Sequence, residues 1–275
     1  MTEPAAPMLD AAAIAAAAAP LGDQLTGARV LVTGSSRGIG LAVAAGFAKA
    51  GATVVLHGRG PVDALEHAAH TVATVTGGAP PGWIAADLTE LGAAQELVDE
   101  AVRQLGGLDI LVNNAGTMLG RNPADSVDDA TIARIIDLNA RSAVIATRTA
   151  LPHLSAPLGC VLFTSSISAR TGGSAGSALY SAAKAFVSTY ARALATELGP
   201  SGVRVNVVAP GTIDTDFHQR YSSADKLAAT AGRIPLRRLG RAEDCVGAYL
   251  FLAAPALSGY VTGQVLEVNG GQAMP

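Results

Sequence analysis

Val30-Leu31-Val32-Thr33-Gly34-Ser35-Ser36-Arg37-Gly38-Ile39-Gly40 is the stretch on which the folding of this chain turns. A short apolar run stops at Thr33-Gly34, and a helical pattern takes over from Ile39 to Ala50. Glycines let the backbone turn tightly between the two. The helix amino terminus beyond them offers free N–H groups and positive potential, a setting that attracts a pyrophosphate. The spacing is Gly-x-x-x-Gly-x-Gly, which departs from the common Gly-x-Gly-x-x-Gly pattern; alone, it is equally a tight turn with no ligand.

Outward from this stretch the same alternation repeats. Val54–Leu56, Trp83–Ala85, Asp109–Val112, Cys160–Phe163, Val203–Val208 and Gln264–Val268 read as strands. Helical spacing covers Val62–Thr76, Ala93–Leu105, one long stretch from about Val127 to Leu154, the segment from Tyr180 to Leu198, and Ala242–Ala253. Apolar strands alternating with helices predict βαβ units, hence an α/β domain with a parallel sheet covered on both faces and wound in both directions. Ligands of such sheets sit beyond the carboxyl ends of the strands. Thr212 to Gly240 reads as polar and irregular. No second domain and no internal repeat is evident.

The chain has 275 residues, 49% hydrophobic and 15% charged, enough for a large core. Its net charge of −3, with basic residues scattered, gives no sign of a nucleic-acid or anionic-membrane surface. Cys160 and Cys245 sit in apolar runs and read as core residues of a reducing compartment rather than a disulfide. The alanine run Ala11–Ala19 is too short for a bilayer and lacks the basic start of a signal peptide. Residues 1–24 are expected to be a frayed or partly helical extension before a catalytic domain of residues 25–275, in the cytoplasm.

The chemistry lies between Ser165 and Lys184. Tyr180 and Lys184, four residues apart, share one face of a helix. A free tyrosine has a pKa of about 10, so exchanging protons near neutrality needs a cation beside it, and Lys184 supplies one. Ser166, at a strand end, can donate to a substrate oxygen as it gains charge. Ser165 and Ser168 compete for that role. The plainer alternative is a core tyrosine and a solvated lysine. At the end of the second strand stands His57-Gly58-Arg59, with no acid to accept from ribose hydroxyls. Arg37 and Arg59 can instead clamp a 2′-phosphate, which favours NADP(H) over NAD(H); both could equally be surface residues. Asp87 and Leu88 are placed to flank an adenine, with a helix N-cap as the alternative for Asp87 or Thr89. Asn113-Asn114-Ala115-Gly116 has small residues where a backbone must approach a cofactor, or else is a strand-end turn.

Thr-Gly-x-x-x-Gly-x-Gly, Asn-Asn-Ala-Gly, Tyr-x-x-x-Lys and Pro-Gly occur here in the order and approximate spacing of the short-chain dehydrogenase/reductase family, which the chain resembles from about Leu25 to Gly271. The resemblance implies a single Rossmann-type domain and an NAD(P)-dependent oxidoreductase with Ser166, Tyr180 and Lys184 as catalytic residues, Lys184 also binding the nicotinamide ribose. It adds Asn139 as a fourth, holding a water in a proton relay; the local alternative is a helix-interior amide. Pro210-Gly211-Thr212-Ile213-Asp214-Thr215 resembles the family's nicotinamide-binding loop, with Thr215 on the carboxamide. Residues 212–240 would form a lid, with Phe217, His218 and Tyr221 as substrate neighbours or packing residues. The branch resembled contains 3-oxoacyl-carrier-protein reductases, with sugar or polyol dehydrogenases as the enzymatic alternative and a non-catalytic NADPH sensor as the other. Family analogy also implies a homotetramer, a small-molecule substrate and no metal.

Overall fold

The computed structural model describes residues 9–274; residues 1–8, the start of the expected extension, lie outside that range. Strands β1 (Arg29–Val32), β2 (Thr53–Gly58), β3 (Gly82–Ala85), β4 (Ile110–Asn113), β5 (Cys160–Thr164), β6 (Arg204–Pro210) and β7 (Val265–Val268) form one sheet. Its order is β3-β2-β1-β4-β5-β6-β7, and every neighbouring pair is parallel. The winding direction reverses between β1 and β4, which opens a crevice at their carboxyl ends.

Helices α1 (Ala11–Ala18), α2 (Gly38–Lys49), α3 (Val62–Thr76), α4 (Ala93–Leu105), α5 (Asp129–Ile136), α6 (Ser142–Ala150), α7 (Ser168–Thr171), α8 (Ala178–Leu198), α9 (Asp216–Tyr221), α10 (Ala224–Arg233), α11 (Ala242–Ala253) and α12 (Pro255–Ser258) complete the described chain. Successive strand residues point to opposite faces. Val30 and Val32 therefore pack with α2, α3 and α11, while Leu31 packs with α4, α6 and α8.

Three regions differ in detail from the sequence reading. The alanine run is a regular two-turn helix, α1, capped by the Asp10 carboxylate on Ala13 N–H, and its Ile14 is fully buried against the neighbouring helices. The long stretch expected from Val127 begins at Asp129, because Asp128 caps it by accepting from Thr131 N–H at 2.7 Å. It is then interrupted by a π turn, Asp137–Arg141, before continuing as α6. The segment expected to be irregular holds two helices, α9 and α10. Ser223 caps α10 through Lys226 N–H, a signal that the polar composition obscures.

Removing most of the Ile14 side chain would leave a cavity between α1 and the sheet-facing helices. Ile14→Ala is expected to cost about 2–4 kcal/mol in urea unfolding while leaving turnover within about twofold of the parent; an unchanged midpoint would show that α1 adds nothing to the core.

Candidate active site

The turn after β1 is built around the Asn114 carboxamide. Its Nδ2 donates to the carbonyls of Thr33 and Gly34, at 2.9 and 3.0 Å, and its backbone N–H donates to Thr33 Oγ1 at 3.0 Å. A Cβ on Gly40 would stand 2.4 Å from Asn114 Nδ2 and 2.3 Å from the Gly34 carbonyl, so Gly40 leaves room for the amide. Gly34, at φ +64°, lies where a Cβ would meet Ala115 Cα at 2.8 Å. His57 braces the other side. Its Nδ1 accepts from Gly34 N–H at 3.0 Å, so its proton sits on Nε2, which donates to the Ala86 carbonyl at 3.1 Å. Burial holds the imidazole down at about 4, a neutral strut at working pH.

Across the crevice, β5 and α8 bring the catalytic candidates together. Lys184 is 3% exposed and its Nζ donates to the Thr164 carbonyl at 2.9 Å, 5.7 Å from the centre of the Tyr180 ring. Burial lowers the Lys184 ammonium to about 8. Burial raises the Tyr180 phenol to about 12, opposed by a hydrogen bond with the Ser166 side chain. Asn139 lies inside the π turn, a device that turns one residue inward from a helix. Its Nδ2 donates to the Thr117 and Ile135 carbonyls, both at 2.9 Å, while its buried Oδ1 has no partner. A Cβ on Gly116 would come within 2.6 Å of Asn139 Oδ1 and 2.8 Å of Lys184 Nζ, so both atoms open onto the same small space.

The three serines separate. Ser165 turns inward, donating to the Lys184 carbonyl and bonded to Ser188 Oγ at 2.7 Å, which takes it out of the crevice. Ser166 accepts from Ser168 N–H at 3.1 Å and bonds Tyr180. Ser168 opens α7, and its buried Oγ has no partner.

Helix α9 lies over this arrangement. Phe217 packs on the Tyr180 ring at 5.6 Å and touches His218 and Tyr221 edge-on at 5.1 and 5.2 Å. Tyr221 meets Thr117 Oγ1 at 3.0 Å, and Arg121 donates to the Tyr221 carbonyl through Nε and Nη2. Asp216 pairs with Arg37 at 3.6 Å. A cavity of about 90 Å³ remains between Arg37, Gly116, Thr117 and the α9 side chains. A larger one, about 300 Å³, lies behind Ser166 between α7, α8 and β7, on the side of α8 away from Tyr180.

The remaining sequence candidates are placed as follows. Ser36 lies against Gly58, where a Cβ would meet its hydroxyl at 3.0 Å. Arg59 is exposed and close enough to help hold the Asp87 carboxyl below its ordinary range. Asp87 accepts from Thr89 N–H and Oγ1 in a local turn; it caps no helix, since Gly92 precedes α4. Leu88 is buried in the core on the α4 side, which leaves Asp87 alone of the pair near the surface. Pro210 pairs with Val268, Gly211 lies where a Cβ would meet Asn269 Cβ at 2.7 Å, and Ile213 bridges Gly240. Thr215 precedes α9, and its methyl faces Gly38. The sequence reading missed Thr117 and Thr164, isolated residues whose role comes from packing and leaves no motif. His57 was noted for the missing acid, not for its ring.

The family profile described as Enoyl-(Acyl carrier protein) reductase matches residues 34–273. Cis-4-hydroxycyclohexanecarboxylate dehydrogenase of Sinomonas cyclohexanicum is 37% identical over 247 residues, 88% of this chain and 94% of that protein. Among solved structures, NADH-dependent reductase A1-R′ complexed with NAD superposes with a TM-score of 0.78 at 36% identity, covering 92% of this chain and 99% of that one. A short-chain dehydrogenase from Burkholderia cenocepacia in complex with NADP gives 0.82 at 32% identity, covering 90% and 99%. The chain belongs to the short-chain dehydrogenase/reductase family. It is an oxidoreductase that acts on CH–OH groups with a nicotinamide dinucleotide.

The residues present fit that cofactor. The first turn of α2 has its N–H groups at a glycine cradle, and the unpartnered Asn139 Oδ1 opens toward Lys184 beside Gly116. Among the described residues no helix is long and apolar enough to cross a membrane, and no cluster of three or more His, Cys, Asp or Glu could hold a metal.

Keeping Lys184 buried has a cost that pH reveals. Below about 8 both folded and unfolded chains carry its proton, and the buried charge destabilises the fold. Between about 8 and 10.5 the folded lysine sheds the proton while the unfolded one keeps it, so stability rises. Lys184→Met is therefore expected to be more stable than the parent at pH 7, by on the order of 1–3 kcal/mol, with the gain shrinking above pH 8; a gain independent of pH in thermal melts would refute it.

Proposed function

We propose that the protein interconverts a ketone and a secondary alcohol with NADP(H), Tyr180 exchanging the proton of the substrate oxygen. The observation that carries this is that the Lys184 ammonium and the free Asn139 Oδ1 open onto one space beside Gly116, with the Tyr180 ring, hydrogen-bonded to Ser166, 5.7 Å from that ammonium. A nicotinamide dinucleotide held here would supply or accept the hydride. In the reducing direction Tyr180 gives its hydroxyl proton to the oxygen, and Ser166 donates a hydrogen bond to that oxygen as it becomes alkoxide-like. The Lys184 charge stabilises the phenolate left behind, and Asn139 Oδ1 accepts from a water that resupplies the proton through Lys184. Lys184 would also hold the cofactor ribose, and the Pro210–Thr215 loop, with Thr215, would hold the carboxamide. Residues 212–240 act as a lid, with Ser168 and Phe217 beside the substrate. Because about 90 Å³ remains under α9, that helix moves to admit ligands. Tyr180→Phe is expected to lower kcat by about 10³-fold or more while the Kd for reduced cofactor changes by less than about threefold. Ser166→Ala should lose about 10²-fold and Ser168→Ala much less; the reverse order would reassign the serine.

NADP(H) is the preferred cofactor in this reading. Gly58 puts no acid at the end of β2, and Arg59 stands exposed nearby. The Arg37 guanidinium is 54% exposed and its long pair with Asp216 is weak, so it is available to a 2′-phosphate. Asp87 remains at the adenine side, with Leu88 buried behind it. Arg59→Asp is expected to shift the ratio of kcat/KM for NADPH over NADH toward NADH by about tenfold or more; an unchanged ratio in steady-state assays would count against the assignment.

For the substrate, a 3-oxoacyl-carrier-protein reductase is the first reading, supported by the motif pattern; the matched profile is named for a different reduction on the same carrier. A small cyclic hydroxy acid, sugar or polyol is the second, favoured by the name of the Sinomonas relative. Acetoacetyl thioesters, hydroxy acids and polyols, followed by nicotinamide absorbance, separate them; binding of NADPH without turnover on any would favour a sensor. Exposed Ile136 and Phe186 support a homotetramer assembled through α5 and α8, and two free cysteines support a cytoplasmic enzyme.

A further inference from the structure

Thr164, the last residue of β5, is bonded from three sides. Its carbonyl accepts from Lys184 Nζ at 2.9 Å, and its hydroxyl lies 2.6 Å from the Tyr249 hydroxyl and 3.2 Å from Asn114 Oδ1. The order of protons along this chain follows from Asn114. Its two contacts with the Thr33 and Gly34 carbonyls require the amide nitrogen there, so its oxygen faces Thr164. A carboxamide oxygen only accepts. The single hydroxyl proton of Thr164 therefore goes to Asn114, and Tyr249 must donate to Thr164. Burial pushes the Tyr249 phenol up, which keeps its proton in place.

Tyr249 is fully buried on α11, on the opposite face of the sheet from α8. It thus reaches the crevice from behind, through the carboxyl end of β5. A buried tyrosine hydroxyl needs a partner, and many backbone carbonyls would serve. Here the partner is a residue that touches both the lysine and Asn114, the amide that braces the glycine turn.

We propose that Tyr249 and Thr164 are a positioning pair: Tyr249 donates to Thr164, which directs the Thr164 hydroxyl onto Asn114 and so holds the glycine turn in its phosphate-binding shape. The same residue's carbonyl anchors Lys184, so both halves of the site are registered to one strand end. This rests on the reading of the turn as the dinucleotide site.

The test is the Kd of reduced cofactor, by nicotinamide fluorescence, in Thr164→Val, Thr164→Ser, Tyr249→Phe and the Tyr249→Phe/Thr164→Val double variant. Thr164→Val keeps shape and carbonyl but loses the hydroxyl, and is expected to weaken binding about five- to twentyfold. Thr164→Ser should restore binding to within about twofold. Tyr249→Phe should weaken it about two- to fivefold, and the double variant should bind no worse than Thr164→Val, because one chain is being cut twice. Thermal melts accompany each variant. A lowered Tm with unchanged Kd, or losses that multiply in the double variant, would overturn the pairing and leave Tyr249 a packing residue. Should Thr164→Val not fold, an unchanged Kd in Tyr249→Phe overturns it alone. If the parent itself binds neither NADPH nor NADH, the cofactor reading fails first, a distinct result.

Discussion

A lysine ammonium sealed beneath a helix, with one carbonyl to donate to, is the constraint around which this site is arranged. Such a charge is expensive to bury, and the fold offers it little compensation: the Thr164 carbonyl, the Tyr180 ring nearby and an open space beside Gly116. A structure selected for stability alone would place an apolar side chain there. The retained charge makes sense where a neighbouring phenol must tolerate losing its proton, and the same burial that depresses the lysine raises that phenol. Both shifts favour the neutral forms, so burial works against the very charges the proton exchange needs.

The winding of the sheet concentrates everything that answers this constraint. The glycine turn leaves β1, His57 stands on β2, Asn114 follows β4 and Thr164 ends β5, all at carboxyl ends beside the reversal of strand order. None of these residues is close to another in sequence except within a motif. Parallel pairing sets their relative heights, so the precision of the site is borrowed from the strand register rather than from the loops that display it.

Much of this was legible in the chain itself, and the limits are instructive. Alternating apolar runs gave the strands and the doubly wound class, because parallel strands buried on both faces leave a strong signal. The Tyr180–Lys184 spacing was readable because it is local. Separating Ser165 from Ser166 was not: adjacent residues on a strand end point to opposite sides, and only the bond of Ser165 to Ser188 shows which faces inward. The inward turn of Asn139 depends on a π turn that no composition rule marks. Leu88, read as a cofactor neighbour by its position after a strand, sits in the turn beyond β3 with its side chain packed into the core on the α4 side. Two helices went unseen between Thr212 and Gly240 because they are short, six and ten residues, and are parted by Ser222-Ser223.

The missing side chains of Gly34 and Gly40 face protein, not solvent: Ala115 in one case, the Asn114 amide in the other. Their smallness is thus demanded by the interior of the domain before any dinucleotide arrives. A descendant of this chain that had abandoned its cofactor would still need both glycines to fold, and would look unchanged at that turn. Persistence of the turn in a divergent sequence therefore testifies to architecture, and retained chemistry has to be read from the lysine and phenol instead.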